Sequence, residues 1–349
     1  MILRSKAGNV SEECMRYCRV EGIVAWLVST TVVASVITIA AGRQASTAGA
    51  PYRLVDDWPQ VPASVTAMGW VSWVDADPAG LLYVFRRCPV KCSDGNHPAG
   101  NDPAASVLLF DSSGKYLREW EPKSGGHAKE AHGLHIDRNG FIWTTDVQLH
   151  VVRKYRADGT LLMTLGKVGV PGETPDTFNQ PTNVLVAFDH SIFVTDGYGN
   201  QRVVKFSTDG KFIKSWGKKG TGPGQFRIPH GIAQDRSGRI IVADRCGLTE
   251  TRCTDGRIQI FDVDGNYLTQ WTPPGGAVAP QAVAVDAADH LYIDDTLNSK
   301  IWILEAKTGK VLETVDGAGG HGMAVSVTGD DIYIASSSAG IRRYSRRRH

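Results

Sequence analysis

Three histidines, His132, His230 and His321, fall at one position of an internal repeat, in alternate copies of it. Three neutral imidazoles with a fourth coordination position left open suit a catalytic zinc, which acts as a Lewis acid or activates bound water. The register is countable. An aspartate follows the shared position by fourteen residues in four copies: His132 to Asp146, Thr182 to Asp196, His230 to Asp244 and Gln281 to Asp295. His321 is placed by a turn glycine, since Gly140, Gly238 and Gly329 each come eight residues after their histidine. Copies two to six therefore read His, Thr, His, Gln, His. A single histidine at such a position is more often a hydrogen-bonded structural residue; three in alternate copies, separated by Thr and Gln, favour a metal site. His135 is assigned to the other face of the strand pleat. His97, His127, His190, His290 and His349 fall in turns or tails, and His150 is the one further candidate, as a supporting group.

The repeat that carries these positions is plainest from Pro181 to Trp216 and from Pro229 to Trp271. Each copy has an apolar strand, a polar turn and a strand ending in Asp. A loop, a third strand, an Asp-Gly turn and a strand ending in Trp complete it. Short β-branched and aromatic runs between such turns are antiparallel meanders, and four strands every ~40 to 50 residues is the period of a propeller blade. Further copies start at Met68, His132, Gln281 and His321, which makes six. The last copy lacks a fourth strand, and Tyr52 to Trp58 has that strand's pattern at the other end of the chain. The expected fold is all-β, a six-bladed β-propeller of the NHL type, with strand 52–58 closing the ring and removing a bare sheet edge. In such a ring alternate blades stand about 120° apart, so the three histidines converge on the central channel.

The rest of the 349 residues organises around that domain, 51–349. Residues 23–41 carry no charge and are long enough to span a bilayer as a transmembrane helix or to serve as a signal segment. Arg4, Lys6, Arg16 and Arg19 lie in the segment 1–22 before it, which places that segment in the cytoplasm and the propeller outside. Residues 42–50 form a small-residue linker in which cleavage would release a secreted protein; an uncleaved anchor is favoured. An oxidising compartment makes Cys88 with Cys92, and Cys246 with Cys253, two loop-stapling disulfides. Metal binding by these four cysteines is the weaker reading. A net charge of +2 argues against a nucleic-acid partner, and the arginines from Arg342 to Arg348 are assigned to a solvated tail.

Several strings carry a family resemblance: Ala-His-Gly-Leu-His-Ile-Asp from Ala131, Gln-Pro-Thr-Asn-Val from Gln180, Val-Thr-Asp-Gly-Tyr-Gly-Asn-Gln-Arg from Val194, Gly-Gln-Phe-Arg-Ile-Pro-His from Gly224 and Val-Ala-Asp-Arg from Val242. They resemble peptidyl-α-hydroxyglycine α-amidating lyase, a zinc propeller that finishes peptide amidation. The resemblance runs from about Tyr52 to the end and is densest over Ala131 to Phe261. It implies zinc on His132, His230 and His321, a catalytic tyrosine at Tyr198, and active-site arginines at Arg87 and Arg245. The implied substrate is a peptide or small molecule ending in α-hydroxyglycine, cleaved at its N–C bond to an amide and glyoxylate. The residue types suit this: zinc acidifies the α-hydroxyl, a tyrosinate takes its proton, and guanidinium groups pair with the carboxylate. Bland roles stand beside these, packing at the channel rim for Tyr198 and an inter-blade ion pair for Arg245.

The chain also departs from the family. Gly322 stands where an acidic residue helps hold a structural calcium, which leaves Ca2+ an open alternative. Gly319 and Gly320 replace Met-Pro, and no copper monooxygenase domain is present on this chain. Two other classes were weighed. One is a non-catalytic NHL-type propeller binding a protein or glycan outside the cytoplasm. The other is a lactonase-type hydrolase, whose calcium sits on Glu, Asn and Asp rather than on the His, Thr and Gln found here.

Overall fold

The computed structural model describes residues 51–63, 65, 68–88, 107–124, 128–247, 253–274, 278–336 and 340–347. Segment 23–41 and the Cys92 partner of Cys88 lie outside the described residues. Among those described, all regular structure is β, and no helix is long and apolar enough to cross a membrane.

Twenty-four strands form six four-stranded antiparallel sheets arranged as blades. Blade 1 is β2 (Trp70–Ala76), β3 (Leu82–Cys88), β4 (Val107–Phe110) and β5 (Tyr116–Trp120). Blade 2 is β6 (Ala131–Ile136), β7 (Ile142–Asp146), β8 (Val151–Tyr155) and β9 (Leu161–Leu165). Blade 3 runs through β10 (Asn183–Val186), β11 (Ile192–Asp196), β12 (Arg202–Phe206) and β13 (Phe212–Trp216). Blade 4 comprises β14 (Ile228–Gln234), β15 (Ile240–Arg245), β16 (Arg257–Phe261) and β17 (Tyr267–Trp271). Blade 5 comprises β18 (Pro280–Val285), β19 (His290–Asp295), β20 (Lys300–Glu305) and β21 (Val311–Asp316). Blade 6 has β22 (Gly322–Val325), β23 (Asp331–Ser336) and β24 (Gly340–Arg346), with β1 (Tyr52–Leu54) as its outermost strand.

That outermost strand pairs Tyr52 with Arg346 and Leu54 with Tyr344, and is shorter than the 52–58 read from sequence. The chain turns at Asp56-Asp57, where Asp57 takes φ 54°, and Trp58 leaves the sheet to stack on Tyr333, ring centroids 5.4 Å apart. A second correction concerns the arginines. Arg342, Arg343 and Arg346 are not a solvated tail but part of β24: Arg343 pairs with Asp331 at 2.9 Å, Arg346 with Glu313 at 2.9 Å, and Arg342 donates to Gly319 O. Charge density was the wrong guide there, because side chains of a strand held between β23 and β1 find partners within the blade, at Asp331, and on the neighbouring blade, at Glu313.

The core lies in the seams between blades. One cluster of Val71, Val84, Leu108 and Phe110 packs on Ala324, Tyr333 and Ile341 across the blade 1 and blade 6 seam. Others join blades 2 and 3 through Trp143, Val152, Val194 and Phe206, and blades 3 and 4 through Phe193, Val203, Ile240 and Val242. Residues of the inner strands thus have apolar neighbours on both faces, which is why their runs are nearly continuous in Val, Ile and Leu. The fourth strands, half covered, alternate instead.

Candidate functional site

Two local devices set most of the channel-facing positions. The first is a β-bulge. Register shifts between Ala131 and Leu134, between Pro229 and Ile232, and between Pro280 and Ala282; another lies between Val71 and Trp73. A bulge re-aims the extra residue, and here it turns His132, His230, Gln281 and Ser72 out of the ladder. The second device is the aspartate that ends the second strand. Asp146 accepts from Lys129 N at 2.6 Å, Asp196 from Asn179 N at 2.8 Å, Asp244 from Arg227 N at 2.7 Å and Asp295 from Ala279 N at 3.2 Å. The fourteen-residue spacing is therefore the length of a hairpin tied at its root, with the channel residue two or three positions beyond the tie.

The three histidines meet. A ligand nitrogen from each of His132, His230 and His321 lies within 4.8 Å of the other two. His132 and His230 are fully buried. Their Nδ1 atoms are all committed: His132 to Thr182 O at 2.6 Å, His230 to Gln281 O at 2.6 Å and His321 to Ser72 O at 2.7 Å. A carbonyl can only accept, so each Nδ1 carries the proton and each Nε2 presents a lone pair. The acceptors are the channel positions of the next blade. Six channel positions thus divide into three imidazoles and three carbonyls that orient them, the arrangement by which outer partners fix metal-binding histidines.

The close approach needed for those bonds depends on the residue after each histidine. A Cβ on Gly133 would fall 2.6 Å from Thr182 O, one on Gly231 2.9 Å from Gln281 O, and one on Gly322 2.8 Å from Trp73 Cα. Gly322, a departure from the family when read alone, is the third instance of a requirement met at Gly133 and Gly231.

Electrostatics keeps the imidazoles neutral. Burial drives His132 and His230 well below the usual histidine range, aided for His132 by His321 and Arg87 and for His230 by Arg245. His321 is pushed down to about 3, by burial first and by Arg87 and Arg245 after it. Neutral, oriented nitrogen donors of this kind fit a divalent cation of the zinc class.

Tyr198 follows Asp196 at the end of β11, and its hydroxyl lies 2.8 Å from His132 Nε2 and 3.1 Å from His230 Nε2. Arg245 ends β15, with its guanidinium carbon 5.2 Å from the Tyr198 ring centroid. It donates to Cys246 O at 3.0 Å, and its buried Nε has no partner. The arginine that pairs with Asp244 is Arg257 of the same blade, at 3.2 Å. Arg87 occupies in β3 the place Arg245 occupies in β15, fifteen residues beyond the channel positions Ser72 and His230. It pairs with Glu130 and covers the Trp70 ring at 3.9 Å. Arg86 beside it turns away to Glu119. Blades 1 and 4 are three apart in a ring of six, so the two arginines approach from opposite sides.

His97, His127 and His349 lie outside the described residues, and the other described histidines are away from the centre. His135 pairs with Asp75 at 3.2 Å, His290 with Asp286 at 2.9 Å, and His150 accepts from Gln180 N at 3.1 Å, bracing the segment that leads to Thr182. Cys246 and Cys253 are joined in a disulfide. Sequence reasoning did not single out Ser72, Trp73 or Glu130. Ser72 was findable, since Arg87 lies fifteen residues after it as Arg245 does after His230.

Fold and site define a six-bladed β-propeller with a three-histidine centre on its axis, and a family model described as a 6-bladed beta-propeller, DUF5128, matches residues 170–249. The resemblance to amidating lyases is matched by relatives that carry the name. The chain is 37% identical over 234 residues to peptidyl-glycine alpha-amidating monooxygenase A of Xenopus laevis, covering 61% of this chain and 23% of that protein. It is 27% identical over 311 residues to peptidyl-alpha-hydroxyglycine alpha-amidating lyase 2 of Drosophila melanogaster, covering 80% of this chain and 71% of that one. NHL repeat-containing protein 3 of Homo sapiens is 32% identical over 232 residues, with coverage of 63% and 59%. The chain therefore spans less than a quarter of the frog monooxygenase and 59% of the human protein. A streptogramin B lyase structure superposes with TM-score 0.55 at 13% identity, covering 85% of this chain and 98% of that chain, a likeness of fold alone.

Proposed function

We propose that this protein is a zinc-dependent lyase that cleaves α-hydroxyglycine-type compounds to an amide and glyoxylate. The observation that carries the reading is the Tyr198 hydroxyl, held between two of three converging, neutral imidazoles with Arg245 over its ring. The relatives named amidating lyase point the same way.

His132, His230 and His321 would hold the zinc through Nε2, and the ion would supply Lewis acidity to the substrate's α-hydroxyl. The protein's own groups do the rest. Tyr198 Oη, as the phenolate, takes the hydroxyl proton as the C–O bond becomes a carbonyl. The C–N electron pair stays on nitrogen, and the same proton is returned there, which gives the amide and glyoxylate with all atoms accounted for. Arg245 and Arg87 flank the mouth as cationic partners for the substrate carboxylate. Each has a buried Nε without a partner, and Arg245 is the better placed, because the Arg87 guanidinium is already paired with Glu130. We assign no role to calcium, since Gly322 offers no carboxylate and its place is required by the close packing against blade 1.

An extracytoplasmic propeller, anchored through 23–41 or released by cleavage in 42–50, is part of the proposal. The Cys246–Cys253 disulfide supports it, since such bonds persist in oxidising compartments. The test is incubation with a small α-hydroxyglycine compound, measuring glyoxylate and bound zinc for the wild type and His230→Ala. About one zinc per chain and release confined to the wild type are expected; equal release from both proteins defeats the proposal.

A further inference from the structure

The six residues that follow the channel positions are Trp73, Gly133, Asn183, Gly231, Ala282 and Gly322. Five are small or modest and one is the largest side chain available. The three glycines admit the backbone of the next blade beside each histidine. Trp73 is the one large ring of the set. Its ring centroid is 6.2 Å from His132, 6.0 Å from His230 and 6.0 Å from His321, near-equal distances that put the indole on the axis of the histidine triangle.

Connectivity fixes the side. First strands run from the site face towards the opposite face, so Trp73, one residue beyond Ser72, lies deeper than the imidazoles. Second strands run back, so Tyr198, Arg87 and Arg245 at their ends stand above. An axial residue in an open channel would be wetted from below, yet Trp73 is only 3% exposed. It belongs to a buried cluster with Leu134 of blade 2, Ala282 of blade 5 and Met323 of blade 6.

We infer that Trp73 is the floor of the three-histidine centre: it seals the channel beneath the imidazoles, so that metal and substrate pass only through the face bearing Tyr198 and the arginines. The inference rests on the metal-centre reading above. Trp73 touches neither the Nε2 ligand atoms' open side nor the reacting groups and is a positioning residue. A sealed floor excludes water from the protein side of the site, which strengthens every charge interaction within it. It also leaves one exit path for the ion.

The test uses the metal alone on the full chain. Cu2+ bound at the histidines quenches nearby indoles, and of the eight described tryptophans Trp73 and Trp70, whose ring lies 5.8 Å from His321, are closest to the centre by ring contacts. Quenching at one equivalent of Cu2+ is expected to fall at least twofold in Trp73→Phe at equal copper content. Trp73→Ala, which opens the floor, is expected to release Co2+ to a chelator at least tenfold faster than the wild type. Undiminished quenching in Trp73→Phe overturns the inference, as does an unchanged release rate in a folded Trp73→Ala. If Trp73→Ala does not fold, the phenylalanine variant decides alone. A wild type that takes up no copper or cobalt brings down the metal-centre reading and this one with it, an outcome separate from quenching that merely ignores Trp73.

Discussion

Removing one oxygen atom separates two jobs that Tyr198 could do. Its hydroxyl lies 2.8 Å and 3.1 Å from the Nε2 atoms of His132 and His230, against the lone pairs that a metal would use. Its one proton can be donated to only one of the two nitrogens at a time, and a hydrogen bond of this type contributes about 0.5–1.5 kcal/mol net. Tyr198→Phe removes that competition, and metal affinity should rise by roughly twofold to tenfold, the free-energy range converted at 1.4 kcal/mol per decade. The same change removes the proton acceptor and should lower glyoxylate release by about 10²–10⁴. The two readouts move in opposite directions. Competition titration with a zinc chelator gives the first, and glyoxylate formation at saturating zinc gives the second. Loss of metal affinity along with activity would mean that Tyr198 is a prop or a ligand. Unchanged activity with zinc bound would mean that it only packs at the rim. Either result refutes the role assigned to it.

Three further outcomes follow from the geometry. Gly322→Ala places a Cβ 2.8 Å from Trp73 Cα and 2.9 Å from Ser72 O, both backbone atoms, so overpacking of about 1–3 kcal/mol should lower Tm and weaken zinc binding together; a normal Tm with full zinc content would contradict the close packing. Asp294 is fully buried and its carboxyl is pushed up to about 7, by burial first and by Asp295 among the lesser causes. Its folded pKa exceeds the unfolded value near ~3.9, so the native state holds this proton more tightly, and stability present below about pH 4 is lost as pH rises to 7. Asp294→Asn keeps an acceptor for Gly320 N without the charge, and its stability relative to wild type should improve from pH 5 to pH 8 by at most about 3 kcal/mol, as read by denaturant midpoints; parallel pH profiles for the two proteins would exclude this cost. Arg245→Met should raise KM for the carboxylate-bearing compound by roughly tenfold to a hundredfold while an uncharged analogue is little affected, and equal effects on both compounds would remove Arg245 from carboxylate recognition.

Much of the site was legible because its periodicity is written in side chains. Asp146, Asp196, Asp244 and Asp295 tie the roots of successive hairpins, and that tie is what keeps the fourteen-residue count constant enough to align His132 with His230. What stayed hidden is carried by the backbone. Thr182 and Gln281 were seen as interruptions of the histidine series, whereas their carbonyls orient the histidines before them, and a carbonyl leaves no mark in a sequence. Gly322 looked anomalous for a related reason, since the neighbour that requires it, Trp73, lies 249 residues away in the chain. Arg342, Arg343 and Arg346 were misplaced because a run of like charge reads as solvated unless the partners, Asp331 and Glu313 here, are known.

The bond from His321 to Ser72 spans almost the whole described chain and joins the last blade to the first. During synthesis, five blades could stand complete with His132 and His230 already facing each other, and the centre would still be two-coordinate. The third donor arrives only with the sixth blade, and it is aimed only when that blade has docked on blade 1. On the metal-centre reading, tight metal capture would belong to the finished circle rather than to any segment, since a chain misassembled at either end would lack the aimed third donor.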